Sequence, residues 1–172
     1  NPVNQKLGNL KNAGTLYGDI IYHKAPIVMR NLEAITGASQ LQEGLRTYLS
    51  NHSYGNATWS DLIRVLDGKT DEDLTGWSDT WINEPGMPHI HTEWKKKNGK
   101  TERLLIRQED PSSGKNRKWP QQLNIEMGLK DRTIGREAFL DKNSLTIEDL
   151  PVGGAVQYVL PNAKGRGYGF FN

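Results

Sequence analysis

Trp81-Ile82-Asn83-Glu84-Pro85-Gly86-Met87-Pro88-His89-Ile90-His91-Thr92-Glu93-Trp94 is the stretch where the chain changes its period. Upstream of it, apolar residues recur every three or four positions, the spacing of one helix face. Downstream, Ile90, Thr92 and Trp94 alternate with His89, His91 and Glu93, the period of a strand. Between them Pro85-Gly86 stops a helix, because proline cannot continue the hydrogen-bond ladder and glycine favours a turn. The switch predicts an α+β chain: a helical unit over residues 1–87, then a β-rich unit over residues 88–172.

Outward toward the N-terminus, Ile21, Ala25, Val28, Leu32 and Ile35 form one helical stripe. Pro26 then belongs in the first turn, and Gly37 ends the helix. Ser39 and Gln42 have the spacing of a capping box for a second helix, with Leu41, Leu45, Tyr48, Leu49 and His52 as its buried stripe. Thr58 with Asp61 opens a third, which stops at Gly68. Thr70 and Asp73 cap a fourth, with Leu74, Trp77 and Trp81 on its core face. Four short helices with brief connections make a compact packed unit.

Outward toward the C-terminus, Asn98-Gly99 predicts a tight hairpin turn between two alternating runs. Further alternation at Leu104 and Ile106, at Leu123, Ile125, Met127 and Leu129, and at Val156, Tyr158 and Leu160 predicts short antiparallel strands. Strands at this spacing suggest a β-sandwich rather than a parallel sheet. Gly165-Arg166-Gly167-Tyr168-Gly169 lacks the spacing of a phosphate-binding loop and reads as the turn into the last strand.

Composition excludes several functions. The 172 residues carry 22 Lys and Arg against 20 Asp and Glu, a net charge of +2, which gives no basic surface for nucleic acid. With no cysteine, thiolate metal sites, disulfides and cysteine nucleophiles are ruled out, and compartment is left open. No apolar run approaches the ~20 residues of a membrane span. Mean hydropathy is low, at -0.71. Five Trp and six Tyr nevertheless supply large side chains for burial. The chain starts at Asn1 rather than Met and stops at Phe170-Phe171-Asn172 while still reading as a strand, so both ends read as cuts through a longer protein.

Three stretches invite a chemical reading. Tyr22 directly precedes a helix whose first turn holds Lys24 and Pro26. A phenol there lies beside the open N–H groups of the helix start, and with an ordinary pKa of ~10 it stays protonated to donate a hydrogen bond to a developing oxyanion. On spacing alone, a packed or surface tyrosine explains the same residue. His89, His91 and Glu93 share one strand face, a pattern that can bind zinc, or simply a solvated face. Lys95-Lys96-Lys97 precedes a hairpin turn and reads as a solvated loop.

The segment from Leu16 to Glu33, with Tyr22-His23-Lys24 followed by a small residue and an apolar helix, resembles the catalytic-tyrosine segment of the aminopeptidase N-like zinc metallopeptidases, the gluzincin aminopeptidases. Gly44-Leu-Arg-Thr-Tyr-Leu49, His52-Ser-Tyr-Gly-Asn-Ala-Thr58 leading to Asp61-Leu62, and Trp81 to Pro88 resemble the family's following helices and its tryptophan-to-Pro-Gly-x-Pro junction. The resemblance implies that the helical unit is the C-terminal part of a thermolysin-like catalytic domain and that a β-sandwich domain follows. It implies that Tyr22 is the catalytic residue that stabilises the tetrahedral intermediate, and that Tyr17 lies near the substrate. Zinc is implied as the cofactor of the parent enzyme, and peptides as its substrates. The family's His-Glu-x-x-His ligands and its peptide-binding glycine loop do not occur in this sequence and are expected in an upstream catalytic-domain portion. No metal site is therefore expected in this fragment, which alone would be inactive, and the family's zinc is not held at His89 and His91. One departure is Ala25-Pro26, where the family commonly has Gly after the lysine; Pro26 bears on the helix start and so on the aim of Tyr22. The competing reading is a non-catalytic interaction module related to metallopeptidases.

Overall fold

The computed structural model describes residues 2–16, 18, 20–97, 100–112, 114–148, 150 and 155–172. The architecture is α+β, helices first and then two mostly antiparallel sheets. The chain divides into two compact units, Asn1–Pro85 and Gly86–Asn172.

The helical unit begins with a 3-10 helix, Leu10–Leu16, and a π-helical turn, Ile20–Lys24, and continues into α1, Ala25–Thr36. The single helix expected from Ile21 is thus two pieces. Pro26, in the first turn of α1, has no N–H to return to the Tyr22 carbonyl four residues back, and the backbone ahead of it opens into the wider π turn. At the other end Gly37 takes φ 81° and donates its N–H to the Glu33 carbonyl at 2.8 Å. That conformation is cheap only for glycine.

α2, Ala38–Asn51, starts immediately after Gly37 and has no side-chain cap. The capping box expected at Ser39 and Gln42 is therefore absent: Ser39 lies inside the first turn. The expected buried stripe of α2 is also corrected. Leu45 and Leu49 are exposed, and the buried residue of this helix is Gly44.

α3, Trp59–Asp67, does have its box. The Thr58 N–H donates to Asp61 Oδ2 at 3.0 Å and the Asp61 N–H to Thr58 Oγ1 at 3.3 Å. The Thr58 hydroxyl, which donates to Asp61 Oδ2 at 2.7 Å, and next the Thr58 N–H draw the pKa of the Asp61 carboxyl down to about 2. In α4, Leu74–Ser78, Asp73 alone caps, accepting from the Gly76 N–H at 2.8 Å. Thr70 instead accepts from Glu72 in the preceding turn. A second π turn, Asp79–Asn83, carries Trp81 and Ile82 into the core. Val28, Leu32, Leu62, Leu66, Leu74, Trp77 and Trp81 fill that core, so both tryptophans pack as their spacing requires.

The second unit holds β1 (His89–Lys97), β2 (Lys100–Glu109), β3 (Gln121–Gly128), β4 (Thr133–Leu140), β5 (Ser144–Ile147), β6 (Tyr158–Leu160) and β7 (Phe170–Phe171). One sheet has the order β5-β2-β1-β7 and the other β4-β3-β6. β1 and β2 pair antiparallel from His89↔Glu109 onward, with a bulge between Lys95 and Lys96; the Asn98-Gly99 turn lies outside the described residues. The other strand pairs among the described residues of both sheets are antiparallel, as expected, whereas the β1–β7 pair is parallel. Gly169 allows it: its backbone runs so close to the Pro88 carbonyl that a Cβ would meet that oxygen at 2.7 Å.

Ile90, Leu104 and Ile106 of one sheet and Leu123, Ile125, Met127 and Leu140 of the other form a single apolar cluster. Val156 belongs to it, but β6 then reverses the expected phase. Tyr158 and Leu160 are exposed and Val159 packs inward. Tyr158 lies across Gly128 and donates to Glu126 at 3.2 Å. Its hydroxyl pKa is raised, by desolvation first and by the Glu126 carboxylate next.

Candidate functional site

Tyr22 sits in the π turn Ile20–Lys24, with its N–H on the Gly18 carbonyl at 3.1 Å. Its side chain is 65% exposed. Two residues on, Lys24 is 1% exposed, and its Nζ donates to the Glu84 carbonyl at 3.4 Å. At 3.6 residues per turn, side chains two apart in a helical turn point to nearly opposite sides. The turn thus has an anchored inner side and an outward-facing phenol. Tyr17 lies outside the described residues.

A cavity of about 740 Å³ opens in the same unit, and Ala25 and Met29, three and seven residues after Tyr22, are among its lining residues. The N-terminal segment crosses its rim. Asn4 donates its N–H to the Ile82 carbonyl at 2.8 Å and its side-chain amide to Asn83 at 3.0 Å. On the far wall Trp59 Nε1 donates to Ser78 Oγ at 2.7 Å, and Asp67 accepts from the Leu74 N–H at 2.9 Å. The polar groups named here are hydrogen-bonded within the protein, and the rest of the wall mixes apolar residues such as Met29, Ile63 and Ile82 with polar ones such as Arg64, Thr75 and Asp79.

The strand histidines separate rather than converge. The His89 ring lies 5.4 Å from that of Phe170, His91 Nε2 stands 3.5 Å from Glu109 Oε2, and Glu93 pairs with Arg107. Each side chain of the candidate triad has a different neighbour. Among the described residues no three His, Asp or Glu side chains come together as metal ligands. This chain's described residues therefore do not fit a zinc ion by themselves. Among them, too, no helix is long and apolar enough to cross a membrane.

Sequence reasoning named Lys24 only as part of a motif and missed its burial. A lysine two positions from a candidate catalytic residue is counted as polar surface by periodicity, so no sequence signal marked it as interior.

Known proteins resemble this chain in sequence and in fold. Residues 1–81 match the peptidase family M1 domain. Over 147 residues the chain is 26% identical to tricorn protease-interacting factor F2 of Thermoplasma volcanium, covering 82% of this chain and 18% of that protein. Over 115 residues it is 29% identical to aminopeptidase N of Streptomyces lividans, covering 64% of this chain and 13% of that one. The crystal structure of Legionella pneumophila aminopeptidase A in complex with aspartic acid shares the fold over 80% of this chain and 16% of its own, with a TM-score of 0.63 at 17% identity. The helical unit is thus similar to metallopeptidases. Residues 1–81, a little under half of the chain, are similar to the aminopeptidase N-like peptidase family M1. The chain spans less than a fifth of the length of these relatives, between 13% and 18%.

Proposed function

We propose that this chain is a part of a zinc-dependent aminopeptidase that removes N-terminal residues from peptides, and that its contribution to the chemistry is the Tyr22 hydroxyl. The observation that carries the reading is a phenol held outward on a helix-entry turn whose opposite side is buried, in a segment similar to the peptidase family. When a peptide carbonyl is attacked by water, its oxygen gains negative charge. The Tyr22 O–H donates a hydrogen bond to that oxygen, stabilising the tetrahedral intermediate more than the starting amide.

Zinc, which members of the family use to activate water, needs ligands beyond those this chain's described residues bring together, so no step is assigned to it here. In this reading the helical unit is the C-terminal portion of the catalytic domain and the two sheets are a β-sandwich domain. Tyr17 is in this reading a substrate-binding residue of the parent enzyme. The 172 residues by themselves are inactive and act with an upstream catalytic-domain portion.

The test is Tyr22→Phe in the complete enzyme. Turnover falls by roughly 10²–10³, the scale for one oxyanion donor, while the thermal midpoint stays put because the side chain is mostly solvated. Unchanged turnover would remove Tyr22 from the mechanism.

A further inference from the structure

We propose that Lys24 is a positioning residue that sets the aim of the Tyr22 hydroxyl; this rests on the reading of Tyr22 given above. An ammonium group is strongly hydrated, and a lysine is almost never fully buried unless its donors are satisfied. Lys24 is 1% exposed, and its Nζ reaches the Glu84 carbonyl at 3.4 Å. Glu84 is the residue that ends the second π turn, Asp79–Asn83, in an extended conformation. The contact therefore ties the turn carrying Tyr22 to the exit of the other irregular turn, beside the buried Trp81 and Ile82.

The tie matters because the local backbone underdetermines this turn. Pro26 cannot donate to the Tyr22 carbonyl, so the bond that would lock an ordinary first turn is lacking there. α1 begins at Ala25 without a side-chain cap. What holds the inner side of Ile20–Lys24 is the buried lysine, and what that turn presents on its outer side is the phenol. Shortening or neutralising the lysine removes a hydrogen bond to a fixed carbonyl and loosens the inner side of the turn, so that its outer side shifts. A shift of about 1 Å at the hydroxyl suffices to lose ~10²-fold in rate.

The experiment is a double-mutant cycle in the complete enzyme, with Lys24→Met, Tyr22→Phe and both together. Lys24→Met lowers kcat with KM little changed, since the hydroxyl acts in the transition state. In the Tyr22→Phe background the same substitution has no further effect on kcat, because the group it aims is gone. Equal fold-losses in both backgrounds mean that Lys24 acts independently of Tyr22, and overturn the proposal. A readout apart from turnover is the fluorine NMR signal of a fluorotyrosine installed at Tyr22. It shifts or broadens in Lys24→Met, and an unaltered resonance overturns the proposal. If Tyr22→Phe itself leaves turnover unchanged, the catalytic reading of Tyr22 falls, while the resonance still decides whether Lys24 holds the turn. Should Lys24→Met fail to fold, Lys24→Arg goes through both measurements: it keeps the charge but replaces a compact ammonium by a planar fork.

Discussion

Asp110 and Arg117 show how one pair of side chains organises a loop that has no regular structure. Arg117 Nε donates to Asp110 Oδ2 at 2.7 Å and its Nη2 to Oδ1 at 2.9 Å, a two-point clamp, with side chains only 11% and 1% exposed. The N–H groups of Ser112 and Arg117 also donate to the carboxylate, and the guanidinium lies 5.0 Å from the centre of the Trp119 ring. The Arg117 guanidinium, aided by those backbone donors, holds the Asp110 carboxyl well below the usual carboxylate range against the opposing effect of burial. A depressed carboxyl pKa stabilises the fold above the unfolded value of ~4, and that contribution is lost as pH falls through the native value. Asp110→Asn is expected to destabilise this unit by roughly 3 kcal/mol at neutral pH, because it removes the carboxylate charge that balances a buried guanidinium. Urea titrations at neutral pH and at about pH 3 check this: the gap between wild type and variant narrows in acid, and an equal gap at both would refute it. The clamp was not legible in the sequence. Its partners are seven residues apart and no helix or strand period relates them.

At the scale of elements, local signals were legible wherever both partners lay within one turn. Thr58 and Asp61 form their capping box as their spacing requires, because Thr58 itself takes an extended, non-helical backbone. Ser39 and Gln42 have equivalent spacing and fail, because Gly37 ends α1 and starts α2 in one residue, leaving Ser39 already helical. The contact that joins α2 to α3 was invisible to periodicity, because the buried residue is a glycine. A Cβ on Gly44 would overlap Leu66 Cδ2, itself fully buried. Gly44→Ala therefore sets two effects against each other. Helix propensity favours alanine by about 1 kcal/mol, whereas overpacking a fixed core costs about 1–3 kcal/mol. Packing wins, since Leu66 is hemmed in, and the expected outcome is a net loss of roughly 1 kcal/mol in the helical unit. Thermal unfolding followed by far-ultraviolet dichroism measures it, and a variant more stable than wild type would show that α2 can slide away from α3. The π turn ahead of α1 was only half legible: Pro26 announced a disturbed helix start, but not the burial of Lys24 that fixes it.

At the scale of the molecule, the change of period at Trp81–Trp94 marks a change of fold that each unit's own core reflects. The β-rich unit draws its apolar cluster from residues between Ile90 and Val156, with Val159 and Phe171 packed against it. The alternation that predicted its strands was legible because one face of each main strand is buried. The parallel pairing of β7 with β1 was not, because it joins Phe170 to His89 through a close backbone approach at Gly169. That pairing closes the unit: Phe170 donates to the Pro88 carbonyl and Asn172 to the Ile90 carbonyl, both at 2.9 Å. A cut between Pro85 and Gly86 severs none of these bonds. Gly86–Asn172 is thus expected to fold alone and unfold in one cooperative transition, as small single-core domains do. Trp119, fully buried, reports it through near-ultraviolet dichroism, and the urea transition seen there should coincide with that seen by backbone dichroism. A gradual loss of signal, or two transitions that do not coincide, would mean that the cluster needs the helical unit to close.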